Sequence, residues 1–231
     1  MSFLQDDLAD PKEATKPWVY PIQKYSVELK CPEDISAWKR LFPDPANSPF
    51  TYTSHLRLLH AKLVTAEDAS WIRRWFTNVV RLEISIDPES GDKPMRDPFS
   101  RFHNLSPTVR CLSICWSALS TEQVFELVCS FPLLEDLRII GWGGMYDKVW
   151  DAPRHYRLPG LSGTLELGSM VPDFMFQLLE HPSRLSFRKI VWREGWRNEY
   201  LGVNELVRRC SDTLEYVHIE YRAHGKLCPC F

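Results

Sequence analysis

One pattern recurs along the chain and constrains its fold more than any other feature. FTNVVRLEI (76–84), LSPTVRCLSI (105–114), FPLLEDLRII (131–140) and CSDTLEYVHI (210–219) share a skeleton of one apolar residue, two variable ones, then apolar, variable, apolar. The triplets are Val79, Leu82, Ile84; Val109, Leu112, Ile114; Leu134, Leu137, Ile139; and Leu214, Val217, Ile219. Leu161, Leu165, Leu167 and Phe187, Ile190, Trp192 fit loosely, and Leu56 with Leu58 opens the series. The middle residues fall at 56, 82, 112, 137, 165, 190 and 217, with separations of 26, 30, 25, 28, 25 and 27. A period of roughly 20 to 29 residues belongs to leucine-rich repeats.

Helical segments alternate with these strands. Thr65 supplies an N-cap to AEDASWIRRWF, acids follow in the first turn, and Trp71, Ile72, Trp75 and Phe76 form a stripe. Ser120 precedes TEQVFELVCSF, Pro172 opens DFMFQLLEH, and EYLGVNELVRRC completes the set. A unit of this kind buries its apolar face only by stacking on its neighbours. The expected fold is therefore α/β: an irregular leucine-rich-repeat-like solenoid, with a parallel sheet on the concave side and helices outside. A doubly wound sheet is disfavoured, since it does not require one triplet to recur in every strand. Leucine-rich repeats place Asn or Cys three residues after the last apolar position. Here Asp87, Ser117, Trp142, Gly195 and Arg222 stand there, so the repeats are irregular.

With 44% apolar residues among 231, the chain is suited to an ordered core. Lys and Arg total 28 against 30 for Asp and Glu, so neither nucleic acid nor a membrane surface is an expected partner. No apolar run reaches the length of about 18 residues that a membrane span needs. The acidic start, MSFLQDDLADPKEATKPW, lacks the pattern of a secretory signal, which predicts a cytoplasmic or nuclear location. Seven cysteines without a CxxC pair read as reduced thiols.

The stretch from Ala14 to Leu58 resembles the F-box and leucine-rich-repeat proteins of mushroom-forming fungi. The matching residues are Trp18, Pro21, Lys24, Asp34, Ile35, Trp38, Lys39, Phe42, Pro43, Asp44, Pro45, Ser48, Pro49, Thr53 and Leu56. The later WIRxWFxxVxRLEI and FPxLEDLRI phrases are similar to the same family. This resemblance implies the substrate-recognition region of an F-box ubiquitin-ligase adaptor. Residues 1–16 are too short and acidic to supply the F-box, so ubiquitin-ligase subunits are expected partners only if one lies upstream. Residues 1–16 are then an unstructured N-terminus, 17–50 a post-F-box-like connecting segment, and 51–231 the repeat domain. An F-box-less paralogue or gene fragment, and an enzyme with an unrecognised site, are the competing readings.

Alternate strand residues project oppositely, so those between the triplet positions are expected on the concave face. They are Arg57; Arg81, Glu83 and Ser85; Cys111, Ser113 and Cys115; Asp136, Arg138 and Ile140; Thr164 and Glu166; Lys189, Val191 and Arg193; Tyr216, His218 and Glu220. Their mixed signs suit a protein surface. In the insertion GWGGMYDKVWDAPRHYRLPG (141–160), Trp142, Tyr146, Trp150 and Tyr156 with Arg154 and Arg157 have the composition of an interface hot spot. The same rings fit equally well as packing folded back over the sheet. Trp196 poses the same alternative.

No catalytic residue, cofactor or metal is expected. GxSxG, HExxH and GxxxxGK[ST] are absent. His224, Cys228 and Cys230 lack the spacing of a zinc site, and the terminal CPCF is a poor prenylation signal.

Overall fold

In a computed structural model, residues 25–30, 32–44, 48–59, 64–85, 100–103, 105–116, 121–141, 156–168, 172–195 and 200–221 are described. Eight strands form one sheet: β1 (Tyr25–Leu29), β2 (Thr53–Leu58), β3 (Arg81–Ser85), β4 (Cys111–Trp116), β5 (Asp136–Gly141), β6 (Thr164–Leu167), β7 (Lys189–Gly195) and β8 (Tyr216–Tyr221). All pairs are parallel, and the spatial order follows the sequence from β1 to β8. The order never reverses, so the sheet has no topological switch point of the doubly wound kind.

The apolar triplets determine the register. Val27, Leu56, Leu82, Leu112, Leu137, Leu165, Ile190 and Val217 are paired in succession across the sheet. A one-residue slip in any strand would turn its apolar set to the opposite face, so burial locks this alignment. Leu56, Leu82, Leu165 and Ile190 are fully buried. The row begins one unit before Leu56, at Val27, within the segment assigned above to 17–50. That unit is hard to see in the sequence because Lys24 stands three residues before Val27, where the pattern expects an apolar residue.

Among the described residues five α-helices connect strands: α1 (Pro32–Leu41), α2 (Ala66–Trp75), α3 (Thr121–Cys129), α4 (Pro172–Glu180) and α5 (Tyr200–Arg209). Their apolar residues join the triplets in one core. Helix α2 starts where Thr65 predicts. The Thr65 hydroxyl accepts from the Asp68 N–H, while Asp68 accepts from the Thr65 N–H at 3.1 Å, a reciprocal cap that satisfies two otherwise unpaired donors. Asp68 also meets Lys39 of α1 at 2.7 Å, tying the first two helices together. Beside them, Phe50 lies 4.6 Å from Phe76 and 4.7 Å from Trp38, ring centre to ring centre. Phe42, Trp71 and Trp75 complete that aromatic cluster.

Candidate partner-binding face

Alternation along every strand sets one sheet face against the helices, and among the described residues no helix or strand covers the other, the open face. The open face carries the residues between the triplets, as strand geometry requires. One row across it reads Glu28, Arg57, Glu83, Ser113, Arg138, Glu166, Val191, His218. The row contains two charge groups of opposite design.

Over β1 to β3, Arg57 sits between two carboxylates. Its Nη1 is 2.5 Å from Glu28, and its Nη2 donates to Glu83 at 3.2 Å. Its Nε, 3.2 Å from the other Glu83 oxygen, makes an electrostatic contact without hydrogen-bond alignment. The Glu83 hydrogen bond, opposed by partial burial, holds the Arg57 pKa above its ordinary value. His55 stands beside this group, 3.8 Å from Glu83 and 3.3 Å from the Ser26 hydroxyl. Burial first, then the positive charge of Arg81, pushes the His55 pKa down, which favours the neutral ring.

Over β5 to β7 the signs are exchanged. Glu166 lies between Arg138 Nε at 3.4 Å and Arg193 Nε at 2.7 Å. The carboxylate is 16% exposed and both arginines are 50% exposed, so the guanidinium ends reach solvent while the acid between them is covered. Four strand spacings separate β2 from β6, roughly 19 Å at about 4.8 Å each. Between the two groups β4 presents only Cys111, Ser113 and Cys115, which are small and uncharged when the thiols are protonated. Burial first, then Asp136, raises the Cys111 pKa to about 11, and burial raises that of Cys115 too.

The other expected face residues take different parts. Asp136 uses both oxygens within the sheet, accepting from the Cys111 thiol at 3.1 Å and the Thr164 N–H at 2.5 Å. Lys189 stands over the Tyr216 ring, 4.9 Å from its centre. Arg81, Tyr216, His218 and Glu220 are exposed, and His218 lies 4.0 Å from Glu220. Val191 differs from the expectation of an accessible face residue: it is only 5% exposed. Glu28 and His55 belong to this face but were not among the expected residues. Their signal was strand alternation against Val27 and Leu29, and against Leu56 and Leu58.

The insertion is only partly described. Trp142, Tyr146 and Trp150 lie outside the described residues, as do Arg154, Trp196, His224, Cys228 and Cys230. Tyr156 is described and packs against the helix layer. Its ring meets Phe125 edge-on at 6.1 Å and its hydroxyl donates to the Glu126 carboxylate. Burial, then Glu126, raises its pKa. The Tyr156 carbonyl lies 2.8 Å from His181 Nε2, whose Nδ1 accepts from the Ser183 N–H, so the buried imidazole is the Nε2–H tautomer.

Among the described residues no group of three or more His, Cys, Asp or Glu is placed to hold a metal ion. No described helix is long and apolar enough to cross a membrane. Comparison with known proteins finds no matching family model, curated protein or solved structure.

Proposed function

We propose that the chain is an irregular leucine-rich-repeat-like solenoid whose open sheet face is concave and binds a protein partner without catalysing a reaction. The sequential parallel order supports this reading most directly. Eight strands laid side by side with one face against the helices present an opposite face that no described element covers. Its two charge groups, acid-base-acid and base-acid-base, favour a partner with groups of both signs over a polyanion. The resemblance to fungal F-box proteins suggests the biological setting, substrate recognition for a ubiquitin ligase, with the ligase subunits recruited only if an F-box precedes this region.

The test is quantitative capture from a fungal extract with wild type, with Arg138→Glu/Arg193→Glu, and with the helix-side variant Arg208→Glu. A specific partner is enriched by wild type and Arg208→Glu and lost with the face variant. Amide-exchange protection by that partner should fall on β4 to β7. Equal capture by all three proteins would remove the open face from consideration.

A further inference from the structure

Among the described residues no strand lies beyond β8, so its outer edge has no described partner. Along the array, open-face residues direct their backbone groups to the preceding strand: the Cys111 N–H bonds the Val80 carbonyl, and the Tyr216 N–H bonds the Arg188 carbonyl. Core-face residues direct theirs to the following strand, as the Leu29 and Ile139 carbonyls show by accepting from Leu59 and Gly168. On β8, the last of the described strands, this rule turns the N–H and C=O groups of Val217 and Ile219 to the outer edge, where no described strand meets them. Apolar cover fails at the same place. Val217 is 40% exposed, although Leu165 and Ile190 in the same row are fully buried. Tyr216, on the same strand, is 50% exposed.

We propose that β8 pairs antiparallel with β8 of a second copy, across a twofold axis at Ile219. Outward groups must meet outward groups, so only registers that place 217, 219 and 221 opposite one another are allowed. Centring on His218 would set the two histidines against each other and leave Glu220 opposite Tyr216. Centring on Ile219 puts each His218 opposite Glu220 of the second copy, two imidazole–carboxylate pairs, with Ile219 against its own symmetry mate. The contact is isologous and closes at two copies. It lies at one end of the array, away from the Arg57 and Glu166 groups, and does not depend on their function.

The test is sedimentation analysis of the full 231-residue chain over a wide concentration range, with amide exchange read at Val217 and Ile219. A monomer–dimer equilibrium is expected, with both amides slowing as the dimer forms. Glu220→Lys should weaken dimerisation by about tenfold or more, and the exchange His218→Glu/Glu220→Lys should restore it. Both side chains are about half exposed, at 53% and 44%, so the variants should fold; an unchanged circular-dichroism spectrum checks this. Val217→Lys should be monomeric. Three results would overturn the proposal: a monomer at every concentration, the edge then being covered by residues 222–231 or left bare; assemblies growing beyond two copies, the sign of head-to-tail pairing of β8 with β1; or a dimer indifferent to both Glu220→Lys and its compensating exchange.

Discussion

Removing Asp68 should destabilise the protein through two separable effects. The side chain closes the reciprocal cap on α2 and pairs with Lys39 of α1 at 2.7 Å. Loss of a cap costs about 0.5–2 kcal/mol. Breaking a fully buried ion pair costs about 3–5 kcal/mol, but the Lys39 side chain is 26% exposed and solvent screens it, so roughly 1 kcal/mol is expected here. Asp68→Ala, which loses both, should cost about 2–3 kcal/mol, or roughly 4–12 °C in Tm for a chain of this size. Asp68→Asn keeps an acceptor for the Thr65 N–H and should cost about 1 kcal/mol.

Burial alone would raise the Asp68 pKa, but the bonds from Lys39 and from the Thr65 hydroxyl and N–H outweigh it and hold the carboxyl below its ordinary value. A carboxyl with a depressed folded pKa contributes stability above its unfolded pKa of about 3.9. That contribution disappears as pH falls through the folded value. Urea melts of wild type, Asp68→Asn and Lys39→Met at pH 7 and pH 3 measure this. The gap between wild type and Asp68→Asn should be full at pH 7 and should narrow at pH 3. A gap that stays constant, or a pH 7 cost for Asp68→Ala under about 0.5 kcal/mol, would refute the assignment of a coupled cap and ion pair.

Three further outcomes can be measured on the same footing. A Cβ at Gly163 would sit 2.3 Å from Asp136 Oδ1 and 3.1 Å from the Glu135 carbonyl, whereas one at Gly202 meets the flexible end of Met175. Gly163→Ala should therefore destabilise by about 1–3 kcal/mol in chemical denaturation, and Gly202→Ala by clearly less, helped by its higher helix propensity. In the triplet row, Leu112→Ala should cost about 2–5 kcal/mol, and Val217→Ala under about 1 kcal/mol, because Leu112 is 1% exposed and Val217 is 40% exposed. Burial pushes the Cys111 thiol up to about 11 and the Cys129 thiol up to about 12, so iodoacetamide at pH 8 should label both slowly in the native protein and rapidly in urea.

Strand existence and pairing were legible because the apolar triplet serves two physical demands at once. Residues two apart face the same side of a strand, and the same residues in every unit must meet one core, so period and register appear directly in the spacing from Leu56 to Val217. The helix starts were legible where a side chain caps the backbone, as at Thr65, or where Pro172 can occupy a first turn. The first unit was not legible, since Lys24 stands where the pattern expects an apolar residue and only packing on α1 and β2 shows that Val27 belongs to the row.

The chemistry of the open face lies on the other side of this division. Its residues followed from strand alternation, yet their pairings did not. Arg57 lies 29 residues from Glu28 and 26 from Glu83, and no local rule joins them. Parallel register brings them side by side, as it brings Glu166 between Arg138 and Arg193 and ties Asp136 to Cys111 and Thr164. The sequence by itself determined which residues share a face and how often a strand returns, because those depend on periodicity along one chain. Only the tertiary structure decided which charges neutralise one another, because that depends on distances between segments that the chain brings together only when folded.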